Sequence, residues 1–305
     1  MTEPYVGIVL VNYRGAEDTI ECIDSLNEME YQNFFIVVVD NHSEDGSLER
    51  LYEKKQERDF AIIERKGNRG FAAGNNAGIR YALKKGAEYV LLLNNDTLVD
   101  RACLTHLVRV HKEEKNCGIS IGKICYASER NKLWYAGGEL DLKKGKVSQW
   151  GLGKPDDHST DARKEISFAT GCCMCVDGKL FQKTGYLDED YFLYEEDTEF
   201  CHRVLRQGAK IIYEPAAVIF HKVSASTSVS KGKKMSPVTQ YYTVRNRYIF
   251  LKRTIRGGWQ RLYAYGYCLA MYVYYWMGGF MDMKYIMWGI YDFSRGVTGK
   301  SRRKL

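Results

Sequence analysis

Apolar runs and helix-spaced apolar positions alternate through the first third of the chain. Val6 to Val11 is an unbroken apolar run of the kind carried by a strand covered on both faces, and Thr19, Ile20, Ile23 and Leu26 follow at helical spacing. Phe34 to Val39 repeats the strand pattern, and the polar stretch Ser47 to Arg58 carries leucines at helical spacing. The pattern then predicts a third strand over Phe60 to Ile63, a helix from about Ala72 to Lys85 that stops at Gly86, and a fourth strand over Tyr89 to Leu93. Strand and helix alternating in this way imply right-handed crossovers and a mostly parallel sheet, the α/β class.

Past Arg101 to Glu114, which reads as another helix, the pattern loosens. Ile119 to Tyr126 reads as a strand, and Trp134 to Trp150 as strands with a hairpin in which Gly137-Gly138 makes a turn or bulge. Gly151 to Lys164 is polar and predicts a mobile loop of the kind that covers a substrate. Ile166 to Val176 is apolar again, Phe200 to Gly208 is a short helix ending on glycine, and Ala209 to Tyr213 and Ala217 to Phe220 are brief strands.

With 305 residues, 45% of them hydrophobic and 27% charged, the chain can bury a sizeable core and falls outside the disordered and collagen-like classes. The nine cysteines have no paired spacing, and no basic-then-apolar leader opens the sequence, which predicts a reduced, intracellular protein. The net charge of +7 hides a division: 29 basic against 36 acidic residues up to Glu214, then 16 against 2 from Pro215 onward. A basic tail on an acidic body predicts an anionic partner, nucleic acid or a lipid surface.

In a parallel sheet ligands collect outside the carboxyl ends of the strands. Here those ends read Asn12-Tyr13-Arg14, Asp40-Asn41-His42-Ser43, Gly67-Asn68-Arg69-Gly70-Phe71 and Asn94-Asn95-Asp96. The first lacks the Gly-x-Gly-x-x-Gly of a dinucleotide site, and no phosphate-binding loop of the NTPase type occurs. Asp96 is placed to hold Mg2+ or Mn2+ against a diphosphate, or else, with its neighbours, to cap a turn or helix before Thr97. Glu195-Glu196-Asp197-Thr198-Glu199 crowds four acids, which raises some of their pKa values as a general base requires, or else decorates a helix N-terminus. His221, at a strand end, could complete a metal shell or lie exposed there. Cys172, Cys173 and Cys175 read as small buried side chains, and the other five histidines carry no role.

Taken in order, these segments form a set. Val9-Leu-Val-Asn-Tyr13, Val37-Val-Val-Asp-Asn-His-Ser-Glu-Asp-Gly-Ser47, Asn68-Arg-Gly-Phe-Ala-Ala-Gly-Asn-Asn-Ala-Gly78, Leu93-Asn-Asn-Asp-Thr97, Gly171, Gly185-Tyr-Leu-Asp-Glu189, Phe192-Leu-Tyr-Glu-Glu-Asp197 and Arg203 resemble the family 2 glycosyltransferases. The likeness is to the rhamnosyltransferase-like branch that builds surface polysaccharides, and it spans about residues 5 to 250. It implies a GT-A fold, a nucleotide-sugar donor, a divalent metal and inversion at the anomeric carbon. Asp96 matches the last acid of the family's metal motif, whose first acid is here Asn94, and His221 matches a histidine that joins the metal in relatives. Asp40 matches the carboxylate that receives the base or ribose. Asn12 and Tyr13 match the loop beside the base, and Asn68, Gly70, Phe71, Gly74 and Asn75 the turn along the nucleotide and sugar, with Asn95 beside them. Asp197 is the expected base, with Glu196 second.

The resemblance divides the chain into a catalytic domain at 1–221, with a nucleotide half to about 100 and an acceptor half beyond, and a basic, aromatic helical region at 222–305. It implies an inverting glycosyltransferase, with dTDP-L-rhamnose the favoured donor and a saccharide or lipid-linked saccharide the acceptor. A sugar-1-phosphate nucleotidyltransferase and a non-catalytic nucleotide-sugar or polysaccharide-binding subunit are the alternatives. No nucleic-acid motif accompanies the basic tail. Leu262 to Met281 is twenty uncharged residues with six tyrosines and three glycines. Tyrosine prefers the headgroup level, so this stretch predicts docking on an anionic membrane, at the inner face of the cell membrane, rather than spanning it. Arg245, Arg247, Lys252, Arg253, Arg256 and Arg261 before it, and Lys300, Arg302, Arg303 and Lys304 at the end, are its expected basic flanks. The alternative is that the tyrosines pack against the catalytic domain or a second subunit, as in a homodimer.

Overall fold

The computed structural model describes residues 3–223 and 234–305, so the part of the C-terminal region at 224–233 lies outside the described residues. The first third forms β1 (Val6–Asn12), α1 (Ala16–Asn27), β2 (Phe34–Asp40), α2 (Ser47–Lys55), β3 (Ala61–Glu64), α3 (Phe71–Lys84) and β4 (Tyr89–Asn94). There follow β5 (Thr97–Val99), α4 (Cys103–Glu113), β6 (Cys117–Tyr126), β7 (Leu133–Tyr135), β8 (Gly138–Asp141), β9 (Lys146–Gln149), β10 (Lys164–Ile166), β11 (Cys173–Asp177), α5 (Leu180–Thr184), α6 (Glu196–Arg206) and β12 (Lys210–His221). Three helices close the chain: α7 (Pro237–Thr254), α8 (Gly258–Met277) and α9 (Met283–Ser294).

One sheet runs in the order β10-β12-β6-β11-β4-β1-β2-β3, with β5 added to β12 and β7 to β6. Strands β1 to β4 are parallel, as their unbroken apolar runs predict, and Ile8, Leu10, Val37 and Leu92 are fully buried between helix layers. Strand β11 lies antiparallel between β4 and β6, and β12 runs parallel to β6, so the sheet is mixed but mostly parallel. A mostly parallel sheet between helix layers, with a mixed second half, is the α/β arrangement that the GT-A resemblance implies.

Several predicted elements differ in detail. The apolar run Ile166 to Val176 is divided: only its first residue, Ile166, lies in β10, which pairs with β12, while its last four, from Cys173, lie in β11, which crosses to β4. Ala209 to Tyr213 and Ala217 to Phe220 are one strand, β12, whose register shifts between Glu214 and Val218, around Pro215, which has no N–H for the ladder. Gly137, at φ 103°, is a kink between β7 and β8, and the hairpin turn lies at residues 142–145. The polar segment 151–164 is irregular, as expected, but it is tethered: the buried Lys123 of β6 forms ion pairs with both Asp156 and Asp161.

The C-terminal helices build a small core of their own, in which Val244, Tyr248, Phe250, Cys268, Tyr272 and Ile286 pack with Tyr191 from the loop before α6. Helix α7 starts on Ser236, whose hydroxyl accepts the Thr239 N–H, with proline in the first turn. Helix α8 buries Ala264, Cys268 and Tyr272, one stripe at four-residue spacing, and leaves Trp259, Leu262, Tyr263, Leu269, Tyr274, Trp276 and Met277 exposed. Among the described residues no helix is long and apolar enough to cross a membrane. Two of the expected basic flanks turn inward, Arg245 fully buried and Arg247 paired with Glu195, while Arg253 stays exposed and pairs with Asp188 and Asp190. A guanidinium is held inside only where acceptors meet it: Arg247 finds Glu195 in the loop before α6, and Arg245 finds Asn246 Oδ1 of α7 and the Tyr191 carbonyl.

Candidate active site

Parallel register brings the carboxyl ends of β1 and β2 side by side, Asn12 opposite Asp40. The Asn12 amide donates to Asp40 Oδ1 at 2.7 Å, and the Ser43 N–H donates to Asp40 Oδ2 at 2.9 Å, so both carboxylate oxygens are engaged and buried. Thr19 of α1 donates to Asn12 Oδ1 at 2.9 Å and accepts from Asn95 at 2.8 Å, which ties the end of β4 to the same network. Tyr13 stands 45% exposed at the rim, with the Arg14 guanidinium 5.2 Å from its ring centre. A polar floor open at one aromatic edge can receive a base and ribose.

The neighbouring turn is built on Asn68, whose Oδ1 accepts from the Gly70 N–H at 2.9 Å and from Asn41 at 3.1 Å. Gly70 has φ 94°, and a side chain there would meet the Phe192 carbonyl oxygen at 2.1 Å, so only glycine fits. The Phe71 N–H donates to that carbonyl at 2.7 Å. Gly74 and Asn75, by contrast, take packing positions. A Cβ on Gly74 would lie 2.8 Å from Val11, and the buried Asn75 amide donates to Phe71 O within α3.

Asp96 follows β4, and His221 ends β12, whose antiparallel pairing with β5 sets His221 opposite Thr97. His221 Nε2 lies 3.1 Å from Asp96 Oδ1, the edge of the Trp134 indole meets the imidazole at 4.6 Å between ring centres, and His221 Nδ1 is buried without a partner. Neighbouring ligands in an octahedral shell with bonds of about 2.1 Å lie about 3.0 Å apart, so this oxygen and nitrogen have the spacing of two ligands to one hard divalent ion. Asp156, His158 and Asp161 form a second group of metal-ligating type, but there the Lys123 ammonium already supplies the cation.

The acid cluster lies at the start of α6. Asp197 is half-buried, and its Oδ2 accepts from the Gly171 N–H at 3.0 Å and its Oδ1 from the Thr198 N–H at 2.7 Å. Gly171 precedes Cys172, whose carbonyl accepts from the Asn94 N–H at 2.9 Å, so the cluster and the Asp96 turn share one edge of the sheet. Burial pushes the Asp197 carboxyl above the ordinary carboxylate range, against the two amide hydrogens that favour its charged form. Glu196 is pushed well above that range, first by burial and then by the charge of Asp197, and its Oε2 is buried with no partner. Glu195 is also raised by burial, although Arg247 meets its Oε1 at 2.6 Å. The loop before them is contorted. Phe192, Tyr194 and Glu195 have φ of 59°, 67° and 75°, each costing on the order of 1 kcal/mol for a residue with a Cβ.

The structure thus gathers Asn12, Tyr13, Asp40 and Asn95 at one rim, Asn68, Gly70 and Phe71 beside them, the Asp96–His221 pair, and Asp197 with Glu196. Sequence reasoning missed Asn76, which clasps Leu187 through both its N–H and C=O, Trp134 beside His221, and Asn246 and Arg247 of α7. For Asn246 a signal existed, since asparagine in a helix interior needs a reason. A cavity of about 570 Å3 between the β8–β9 turn and α8, lined by Asp141, Lys143, Lys144, Gln260 and Tyr263, holds none of these residues.

The family model for glycosyl transferase family 2 matches residues 7–185. The chain is similar to the low-salt glycan biosynthesis hexosyltransferase Agl10 of Haloferax volcanii, 28% identical over 80% of this chain and 74% of that one. It is also similar to the dTDP-rhamnosyl transferase RfbF of Shigella flexneri, 25% identical over 80% of this chain and 79% of that one. Among solved structures, the mannosyltransferase PcManGT from Pyrobaculum calidifontis, in complex with GDP-Man and Mn2+, superposes with a TM-score of 0.58 at 15% identity, over 97% of this chain and 80% of that one. GalNAc-T7 with UDP, GalNAc and Mn2+ superposes with a TM-score of 0.61 at 14% identity, over 97% and 58%.

Proposed function

This chain belongs to glycosyl transferase family 2, and on that premise we propose that it transfers a hexosyl unit, with inversion, from a nucleoside diphosphate sugar to a hydroxyl of a saccharide or lipid-linked saccharide. Membership makes it a glycosyltransferase and leaves the nucleotidyltransferase alternative without support. The observation that carries the reading is the Asp197 carboxylate, held by the Gly171 and Thr198 amides, partly exposed, and raised toward the range of a working base.

In the reaction Asp197 takes the proton of the acceptor hydroxyl as its oxygen bonds to the anomeric carbon from the face opposite the diphosphate. The anomeric carbon–phosphate oxygen bond breaks, and the nucleoside diphosphate leaves with the electron pair. One carboxylate suffices, whereas a glycosidase needs a pair flanking the bond. Glu196 is the less suited base, because it is buried and its free oxygen faces no opening. Asp96 and His221 would hold Mg2+ or Mn2+, which supplies positive charge to the leaving diphosphate. Asn12, Tyr13 and Asp40 receive the base and ribose, and Asn68 to Phe71 flank the diphosphate and sugar. The catalytic unit is residues 1–221.

The donor we favour is dTDP-L-rhamnose, which the RfbF relative supports. UDP-galactofuranose, UDP-N-acetylhexosamine and GDP-mannose are the competing donors. The test is release of nucleoside diphosphate from each of these four with Mn2+ present. Turnover of dTDP-L-rhamnose alone is expected, preference for another donor replaces that assignment, and inertness toward all overturns the transfer reading.

The C-terminal helices serve as an anionic-membrane dock at the inner face of the cell membrane. Support comes from the uncharged outer face of α8 together with the exposed Lys143, Lys144, Lys252 and Arg256. The two acids beyond Glu214 are already paired, Asp282 with Lys234 and Asp292 with Arg303, so the charge left to the surface is positive.

A further inference from the structure

The backbone that leads to the catalytic carboxylate is held in an uncommon state by two side chains of α7 that the transfer chemistry does not use. Phe192, Tyr194 and Glu195 all have positive φ, and none is glycine. Such a loop relaxes unless its surroundings over-determine it. Asn246, fully buried, brings its Nδ2 within 2.6 Å of Tyr191 O, 2.8 Å of Leu193 O and 3.0 Å of Tyr194 O. The amide has two hydrogens for these three carbonyls, so one is shared. Its own Oδ1 accepts from Arg245 Nε at 2.9 Å, which fixes the end of the amide that faces the loop.

The next residue repeats the grip on a side chain. Arg247 sets Nε and Nη2 on Glu195 Oε1 at 3.0 and 2.6 Å, and its Nη1 donates to Gly145 O in the β8–β9 turn at 2.5 Å. From the side of α3 the Phe71 N–H holds the Phe192 carbonyl, and on the α7 side the Phe192 ring stacks on Tyr242 at 5.1 Å. The loop is therefore gripped between α3 and α7, and Asp197 lies two residues beyond Glu195, in the first turn of α6.

We propose that Asn246 and Arg247 are positioning residues for sugar transfer. They set the backbone of residues 191–195 and, through it, the direction in which the Asp197 carboxylate meets the acceptor hydroxyl. The inference rests on Asp197 as the base, and it makes the C-terminal helices part of the catalytic apparatus as well as a dock. Neither side chain hydrogen-bonds to the donor-side residues of β1, β2 and α3, and the loop they hold meets that side only through Phe192, so their loss falls mainly on the chemical step. A misplacement of the base by a fraction of an ångström is enough for such an effect.

The test compares wild type with Asn246→Ala, Asn246→Gln, Arg247→Met and Arg247→Lys. It uses the sugar nucleotide that turns over in the donor panel and the matching nucleoside diphosphate with Mn2+ as the binding probe. Expected are a fall in kcat of about tenfold or more in Asn246→Ala and Arg247→Met, donor KM and nucleotide Kd within about twofold of wild type, and partial recovery in Arg247→Lys. Amide hydrogen exchange should accelerate at Leu193 to Glu196 and stay unchanged in β1. Wild-type kcat in Arg247→Met, or equal losses in kcat and nucleotide affinity, overturns the proposal. Should the severe variants fail to fold, Asn246→Gln and Arg247→Lys decide it, and wild-type kcat in both overturns it. A wild-type enzyme inert toward every donor fails the transfer reading itself, which is separable from active wild type with indifferent variants.

Discussion

The imidazole of His221 lies 3.1 Å from the Asp96 carboxylate across a sequence separation of 125 positions. The contact follows from the pairing of β12 with the three-residue β5, which sets the last residue of one strand beside the turn that opens the other. If both side chains hold the metal, Asp96→Ala should abolish turnover, and His221→Ala should raise the Mn2+ concentration for half-maximal activity by about tenfold. Titrating Mn2+ into chelator-stripped enzyme checks this, and turnover that survives chelation refutes a role for the metal.

On the proposed reaction, replacing Asp197 by asparagine keeps the shape but removes the proton acceptor. Asp197→Asn should bind nucleoside diphosphate as wild type does and lose about 100-fold or more in kcat. Calorimetry with the nucleotide and a turnover assay separate the two. Full activity would move the role to Glu196.

Burial raises the Asp197 and Glu196 carboxyls, and a base works only when deprotonated. Activity should therefore fall as pH drops through a value above the usual carboxylate range of about 4, and should hold on the alkaline side of it. The Asp197 charge raises Glu196 and not the reverse, so Glu196 stays protonated while Asp197 titrates, and Glu196→Gln, which keeps a neutral polar group there, should leave the acid limb of kcat/KM in place. A limb that moves to lower pH in that variant would show instead that Glu196 is charged while Asp197 titrates.

Gly70→Ala puts a methyl group against the Phe192 carbonyl oxygen at a backbone angle L-residues avoid. The expected cost is about 2 kcal/mol or more, a fall of about 5 °C or more in Tm, measured by calorimetry without ligand. An unchanged Tm would mean that the Gly70–Phe192 contact gives way freely.

Docking on lipid through α8 predicts flotation with phosphatidylglycerol vesicles that fades in high salt and with neutral vesicles. Trp259→Ser together with Leu262→Ser should weaken flotation, since both side chains are exposed and each removes apolar area from the contact. If the double variant floats as before but sediments as a smaller species, a second copy of the chain is the partner of this face.

What the sequence makes legible is set by which interactions leave a periodic trace. The four parallel strands and their polar ends are readable because burial on both faces demands unbroken apolar runs; Asn12, Asp40 and Asp96 lie at those ends, Asp197 stands in an acid-rich cluster, and His221 closes the apolar run of β12. The break inside Ile166 to Val176 leaves no trace, because the run stays largely apolar while only Ile166 belongs to β10 and β11 starts at Cys173. Arg245 and Arg247 mislead for the opposite reason. Their charge suggests a surface, while the acceptors that draw them inward, Tyr191 O and Glu195, are distant in sequence. Asn76 and Asn246 work through backbone carbonyls, which every residue type carries, so their partners cannot be read from the letters at all.

The central position of β11 has a consequence for how the chain acquires its shape. This strand comes from residues 173–177 yet fills the gap between β4 and β6. Until it is synthesised, the nascent protein carries an unsatisfied β4 edge with its apolar Leu91, Leu92 and Leu93 backbone groups open to pairing with other chains. Contacts of such long sequence separation close late and slowly. Expression of residues 1–100 by themselves should therefore yield aggregates, whereas a fragment reaching past Asp177 already contains the strand that protects that edge.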